Sequence, residues 1–285
     1  MGGACEILLA GMGKKEALRS AGLGIEEVSR IERKYSRYQT GSVVSKINSL
    51  AGIDWVESDK ETCALLDYSD VLYRNSRGLF DVTSGVLRRA WNFDKTEVPA
   101  PEMLFPLLKL VGWDRVERKG DAIRLPEEGM QLDFGGIGKE YAADAAAEAL
   151  YEHGVRHGYV NLAGDIRVIG PKPDGEPWTI GIRDPRNSAG MIASIPVSSG
   201  AIATSGDYER FFESAGRRYC HIINPMTGFP VSFWRSVTVL APLATTAGSC
   251  TTIAMLLESE GSIYLKDSGF TFMAVDQSSK MLYHH

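Results

Sequence analysis

Apolar residues recur along this chain at spacings that separate helices from strands. Ile25, Val28, Ile31 and Tyr35 follow one another at steps of three and four, which predicts an amphipathic helix over residues 24–37. Ala64, Leu65, Tyr68, Val71 and Leu72 fit a second helix. A third is expected from about Lys139, with Tyr141, Ala142, Ala145, Ala149 and Leu150 on one side and Gly154 as its stop. Its alanines favour helix and permit close packing. A last helix is expected over residues 245–258. Runs rich in β-branched and aromatic residues predict strands at 159–162, 165–169, 178–182, 237–241 and 270–275, and residues 4–10 form a further strand-like run. Residues 171–177 have the composition of a turn-rich loop. Strands and helices alternate irregularly, so the pattern predicts an α+β fold and not a doubly wound parallel sheet. There is no internal repeat and no long linker, and residues 1–285 are expected to form one domain.

Four segments break this pattern by mixing glycine, acid and hydroxyl residues beside apolar runs. They are Gly78-Leu79-Phe80-Asp81-Val82-Thr83-Ser84-Gly85, Leu132-Asp133-Phe134-Gly135-Gly136-Ile137-Gly138-Lys139, Ala203-Thr204-Ser205-Gly206-Asp207-Tyr208-Glu209-Arg210 and His221-Ile222-Ile223-Asn224-Pro225-Met226-Thr227-Gly228. Glycine lets backbone approach a ligand closely. The second segment feeds a helix N-terminus, where free N–H groups and the helix dipole favour an anion, and Lys139 adds positive charge. A tight strand-to-helix turn with no ligand has the same composition, and the spacing is not that of a Walker loop. His221 precedes an Asn-Pro-Met-Thr-Gly turn. It is a candidate base near neutral pH, or a histidine that only bonds its own turn.

Composition narrows the field. The net charge of −5 argues against a general binder of nucleic-acid backbone. No stretch approaches the ~18 apolar residues of a membrane span. Cys5, Cys63, Cys220 and Cys250 lack metal or disulfide spacing and are expected to be ordinary thiols.

Taken in order, these segments resemble the ApbE family, the FAD:protein FMN transferases. The resemblance spans nearly the whole chain. It also takes in Met1-Gly2, Ser36-Arg37-Tyr38, Ser45-Lys46-Ile47-Asn48, Trp91-Asn92-Phe93, Val160-Asn161-Leu162-Ala163-Gly164-Asp165 and Ser236-Val237-Thr238-Val239. It implies an ApbE-like, T-fold-like arrangement of mixed sheets with packed helices in two intimately joined lobes. It implies FAD as substrate, Mg²⁺, transfer of FMN to a Ser or Thr hydroxyl of an acceptor flavoprotein, and release of AMP. By similarity the flavin site includes Met1, Tyr38, Leu79, Phe80, Asp81, Asp133, Lys139 and Ile223. The same resemblance implies that His221 takes the proton of the attacking hydroxyl and that Lys139 neutralises phosphate charge.

One departure stands out. The family's metal set is implied to be the Gly136 carbonyl, the Thr252 side chain and an Asp four residues before that Thr, but this chain has Gly248 there. The resemblance therefore leaves three explanations open: a degenerate metal site in a flavin-binding relative with little transfer, another acid that reaches the metal, or a residue changed by design. On sequence alone, Gly248→Asp is expected to tighten Mg²⁺ binding. A lesser departure is Asn224, where the family usually has Asp. A plain FAD hydrolase is a further variant. The compartment stays open: periplasmic or membrane-tethered where a signal segment has been removed, cytoplasmic where Met1 is the native start.

Overall fold

A computed structural model describes residues 3–284. Its main sheet has seven strands: β1 (Cys5–Leu9), β5 (Gly158–Leu162), β6 (Asp165–Gly170), β9 (Gly200–Gly206), β12 (Trp234–Ala241), β13 (Thr271–Asp276) and β14 (Met281–His284), in that spatial order. Every neighbouring pair is antiparallel. Three smaller sheets pair β2 (Val56–Glu57) with β4 (Ala122–Arg124) and β3 (Glu117–Lys119), β7 (Trp178–Arg183) with β8 (Met191–Val197), and β10 (Phe211–Ser214) with β11 (Arg217–Cys220). The fold is mixed α+β, as the irregular alternation of periods predicts.

Side chains alternate across the main sheet. On β9, Ala201 and Ala203 face the large core, whereas Ile202 joins Ile166, Val168, Ile180 and Val197 beneath the β7–β8 hairpin. Helices α5 (Gly138–Glu152) and α6 (Ala244–Leu256) pack on the first face, and α1 (Lys14–Tyr35) packs on α5. The small residues Ala142, Ala143, Ala146, Ala147, Ala244 and Ala247 are buried there, so the helices approach closely. Asp144 of α5 caps α6: its carboxylate accepts from the N–H groups of Ala244 at 2.8 Å and Thr245 at 2.9 Å. The remaining helices are α2 (Val43–Ser49), α3 (Lys60–Asn75), α4 (Pro101–Leu108) and α7 (Gly261–Asp267). One large core cluster runs through residues from Ile31 to Ala274 and joins the helices to the sheet.

The expected strands and the α5 stop at Gly154, with φ +91, are present. Three helix faces differ from the expectation. On α5 the buried residues are Glu140, Ala142, Ala143, Ala146, Ala147 and Leu150, whereas Tyr141, Ala145 and Ala149 are only half-buried, so the face against the core is turned from the one expected. Helix α1 begins at Lys14, not near residue 24, and Ile25 points to solvent. Gly24 is buried instead, because a Cβ there would stand 2.8 Å from Ile7 and 3.1 Å from Leu150. The glycine lets helix and sheet close together. On α3, Leu65 and Leu72 are buried but Val71 is exposed.

Candidate functional site

The first two glycine-rich segments lie against each other. Asp133 N–H donates to the Val82 carbonyl at 2.8 Å, and Asp133 Oδ1 accepts from Gly135 N–H at 2.8 Å. Gly85 is required by this contact, since a Cβ would come within 2.4 Å of Asp133 Cβ. Arg37 closes the junction: its Nη1 donates to the Gly85 carbonyl at 2.7 Å and lies 3.4 Å from Asp133 Oδ2. Asn48 pairs with the backbone of Leu132 through its Oδ1 (2.6 Å) and Nδ2 (3.0 Å). Phe80 is buried beneath Gly136. Asp81 is also buried, and its carboxylate is fully engaged: Oδ1 accepts from Thr83 N–H and Oγ1, and Oδ2 accepts from Trp113 N–H. Loss of water raises the Asp81 pKa, and the Thr83 bonds oppose that rise. Asp81 therefore shapes the loop, whereas Asp133, about a quarter exposed, keeps an oxygen at the surface.

Helix α5 starts at this shelf. Lys139 in its first turn forms an ion pair with Asp165, a buried residue at the start of β6. Burial pulls the Lys139 pKa down, but the Asp165 and Glu140 charges outweigh it and the net shift is upward. Glu140 is buried beside them, and loss of water, then the neighbouring Asp165, push its pKa well above the ordinary carboxylate range. Its Oε2 has no hydrogen-bond partner among the described residues. The side chain enters the space next to Gly248 on α6: a Cβ at 248 would stand 2.5 Å from Glu140 Cγ and 2.9 Å from its Oε1. One turn along α6, Thr252 Oγ1 lies 3.4 Å from Ser205 Oγ of β9. Among the described residues no three His, Cys, Asp or Glu side chains cluster as a metal site. A carbonyl, hydroxyls and one or two carboxylates are nevertheless the hard donors that Mg²⁺ accepts when substrate phosphates complete its shell, and this set fits such an ion.

His221 follows β11, and its N–H donates to the Arg210 carbonyl at 2.9 Å, which joins the third segment to the fourth. Its Nδ1 is buried without a partner among the described residues. Desolvation, then the charge of Arg88, lower its pKa to about 4; the Arg210 backbone opposes this, and the charges of Arg210 and Lys139 add smaller downward effects. The imidazole is thus neutral at pH 7 within a basic surround. Arg88 is itself drawn down by desolvation. Beside it lies a cleft of about 450 Å³ lined by Arg37, Tyr38, Ser45, Asn48, Arg88 and Gln131. Tyr38 is 80% exposed, with the Arg37 guanidinium 5.0 Å from its ring. It is not a core residue, and its aromatic face is available.

The fourth segment is a turn held by Asn224, whose Oδ1 accepts from the N–H groups of Met226 and Thr227. Trp91 Nε1 ties the turn to an aromatic cluster by donating to the Gly228 carbonyl at 2.7 Å. Ile223 packs on that cluster, and Leu79 is half-buried against the main core. Of the residues anticipated, Asp81, Asp133, Phe80 and Gly136 form the shelf, Lys139 stands in the first turn of α5, and Gly248 and Thr252 lie in the middle of α6. His221 meets Lys139 through electrostatics, and Met1 lies outside the described residues. Arg37, Asn48, Asp165 and Arg210 fall inside motifs that gave them no role. Arg88 and Glu140 fall outside every assignment.

Comparisons agree with this fold. The ApbE family model matches residues 1–273. An FAD:protein FMN transferase of Treponema pallidum is 33% identical over 253 residues, covering 82% of this chain and 70% of the relative. One from Haemophilus influenzae is 29% identical, covering 82% and 71%. The crystal structure of an ApbE protein from Thermotoga maritima superposes with a TM-score of 0.91 at 33% identity, covering 100% of this chain and 94% of the other. The Pseudomonas stutzeri flavinyl transferase ApbE gives 0.84 at 27% identity, covering 98% and 89%.

Proposed function

The chain belongs to the ApbE family, and on that premise we propose that it is an FAD:protein FMN transferase, which moves FMN from FAD to a Ser or Thr hydroxyl of an acceptor flavoprotein and releases AMP. The observation that carries this reading is the neutral His221 held among Arg88, Arg210 and Lys139. Such a site suits a dianionic pyrophosphate and a base that must accept a proton.

In the reaction the acceptor oxygen attacks the phosphorus of the FMN half. A new P–O bond forms, the bond to the AMP phosphate breaks, and the electron pair leaves with AMP. Phosphoryl transfer depends chiefly on positioning and on neutralising the phosphate oxygens. Lys139, oriented by Asp165, and the arginines supply positive charge. His221 takes the hydroxyl proton. Its low basicity arises partly from those cations, so a bound pyrophosphate that screens them raises its affinity for the proton. Tyr38 offers an exposed ring for stacking on the ligand, and Asp133 an acceptor at the shelf. The Gly136 carbonyl and the Thr252 hydroxyl would hold Mg²⁺, which would supply positive charge to the phosphate oxygens.

The test is to incubate the protein with FAD, Mg²⁺ and a fragment of an acceptor flavoprotein, then read flavin fluorescence on a denaturing gel. A fluorescent acceptor band is expected. The Gly248 departure favours a second reading, a flavin-binding relative with little transfer, which predicts bound FAD and no band.

A further inference from the structure

Position 248 has no side chain, and the space a side chain would need is taken by one group. We propose that Glu140, reaching across from α5, supplies the carboxylate ligand for the divalent cation that position 248 on α6 does not provide. This rests on the flavin-transfer reading for the purpose of the site, and on this chain's own side chains for the ligand.

Three observations carry it. The three heavy atoms nearest to a Cβ built on Gly248 all belong to Glu140: Cγ at 2.5 Å, Oε1 at 2.9 Å and Cδ at 3.0 Å. The glycine thus admits the glutamate, and the acid group stands where a residue at 248 would project its own. Second, Glu140 is only 6% exposed, and its Oε2 has no hydrogen-bond partner among the described residues. A buried acid oxygen in that condition, with Asp165 as its acidic neighbour, calls for a partner. Third, helical side chains lean toward the helix N-terminus, so Glu140 leans toward the Gly135-Gly136 turn that precedes α5. Gly248 and Thr252 are one turn apart and share a face of α6. The Glu140 carboxylate therefore meets the face of α6 that carries Gly248 and Thr252, with Asp165 beside it and Gly136 one turn earlier in the chain.

This reverses the expectation drawn from sequence. Gly248→Asp alone drives a Cβ into Glu140 and brings a second acid against it, so the substitution weakens metal binding. The carboxylate can move back to α6 only if Glu140 is removed at the same time.

The experiment uses the full chain and Mn²⁺ as the probe, titrated by electron paramagnetic resonance with and without FAD. FAD affinity is measured separately by flavin fluorescence in the absence of metal. Glu140→Gln keeps the size and removes the charge, and it should weaken Mn²⁺ binding by at least the roughly 10-fold that loss of an outer-shell partner costs, while FAD still binds. The double variant Glu140→Ala with Gly248→Asp should regain most of the lost Mn²⁺ affinity. Unchanged Mn²⁺ affinity in Glu140→Gln, or a double variant that binds no better than Glu140→Gln, overturns the assignment. Failure of the unaltered protein to bind FAD overturns the flavin-transfer reading instead, and the Mn²⁺ titration without FAD still decides on Glu140.

Discussion

Lys139 and Asp165 form an ion pair that joins the first turn of α5 to the first residue of β6. Asp165 is buried, so the lysine both satisfies a desolvated carboxylate and presents charge at the shelf. Removing one partner of such a pair leaves an uncompensated charge. Lys139→Met should lower stability by about 3 kcal/mol, read as the urea midpoint without flavin, and should lower transfer by about 100-fold. Adding Asp165→Asn should recover much of the stability but not the transfer. Recovery of both would show that Lys139 serves only the fold.

His221 sets a pH signature. Its pKa lies near 4 in the free protein, so kcat/KM should hold at neutral pH and fall only as the pH approaches that value. Arg88 is the largest charge holding the imidazole neutral. Arg88→Gln removes that charge, which raises the His221 pKa and moves the acidic limb to higher pH. An unmoved limb would assign it to another group. His221→Ala should cost about 10²–10⁴-fold in transfer with little loss of FAD affinity. Equal losses in both would mean that the histidine only holds the pocket.

Asp81 acts on the loop. Its three hydrogen bonds come from Thr83 and from the Trp113 N–H. In Asp81→Asn an amide donor must face one of those donors, and the loss should be about 1–3 kcal/mol by chemical denaturation. A variant as stable as the parent would show that the loop is held elsewhere.

Tyr38 separates binding from folding. With 80% of its surface exposed, Tyr38→Ala should leave the melting temperature unchanged. Loss of stacking should weaken FAD binding by about 1 kcal/mol, measured by fluorescence titration. Unchanged affinity would place the flavin away from this ring.

The legible parts of the molecule were those written in local chemistry. The period of β5, β6 and β12 and the existence of the alanine-rich α5 follow from short-range pattern, but alanines all round α5 leave its buried face undetermined by that pattern. The glycine–acid segments announced the shelf because their backbone needs, such as Gly85 against Asp133, are met by few other residues. What stayed hidden depends on distant packing. Gly24 interrupts the apolar rhythm of α1, so the helix seemed to begin later, yet it is the contact point with Ile7 and Leu150. Glu140 passes for an ordinary acid at a helix start, where the dipole favours it. Its burial is set by Gly248, far along the chain. Arg88 follows no periodicity, and its place near His221 comes from the tertiary fold.

The central claim is tested most directly by AMP release from FAD, with and without Mg²⁺ and with and without an acceptor fragment whose covalent fluorescence is read in parallel. Transfer predicts AMP and fluorescent acceptor in equal amounts, only when FAD, Mg²⁺ and acceptor are all present. Tight FAD binding with neither product would contradict it and leave a flavin-binding protein, and free FMN appearing without acceptor would make it a hydrolase.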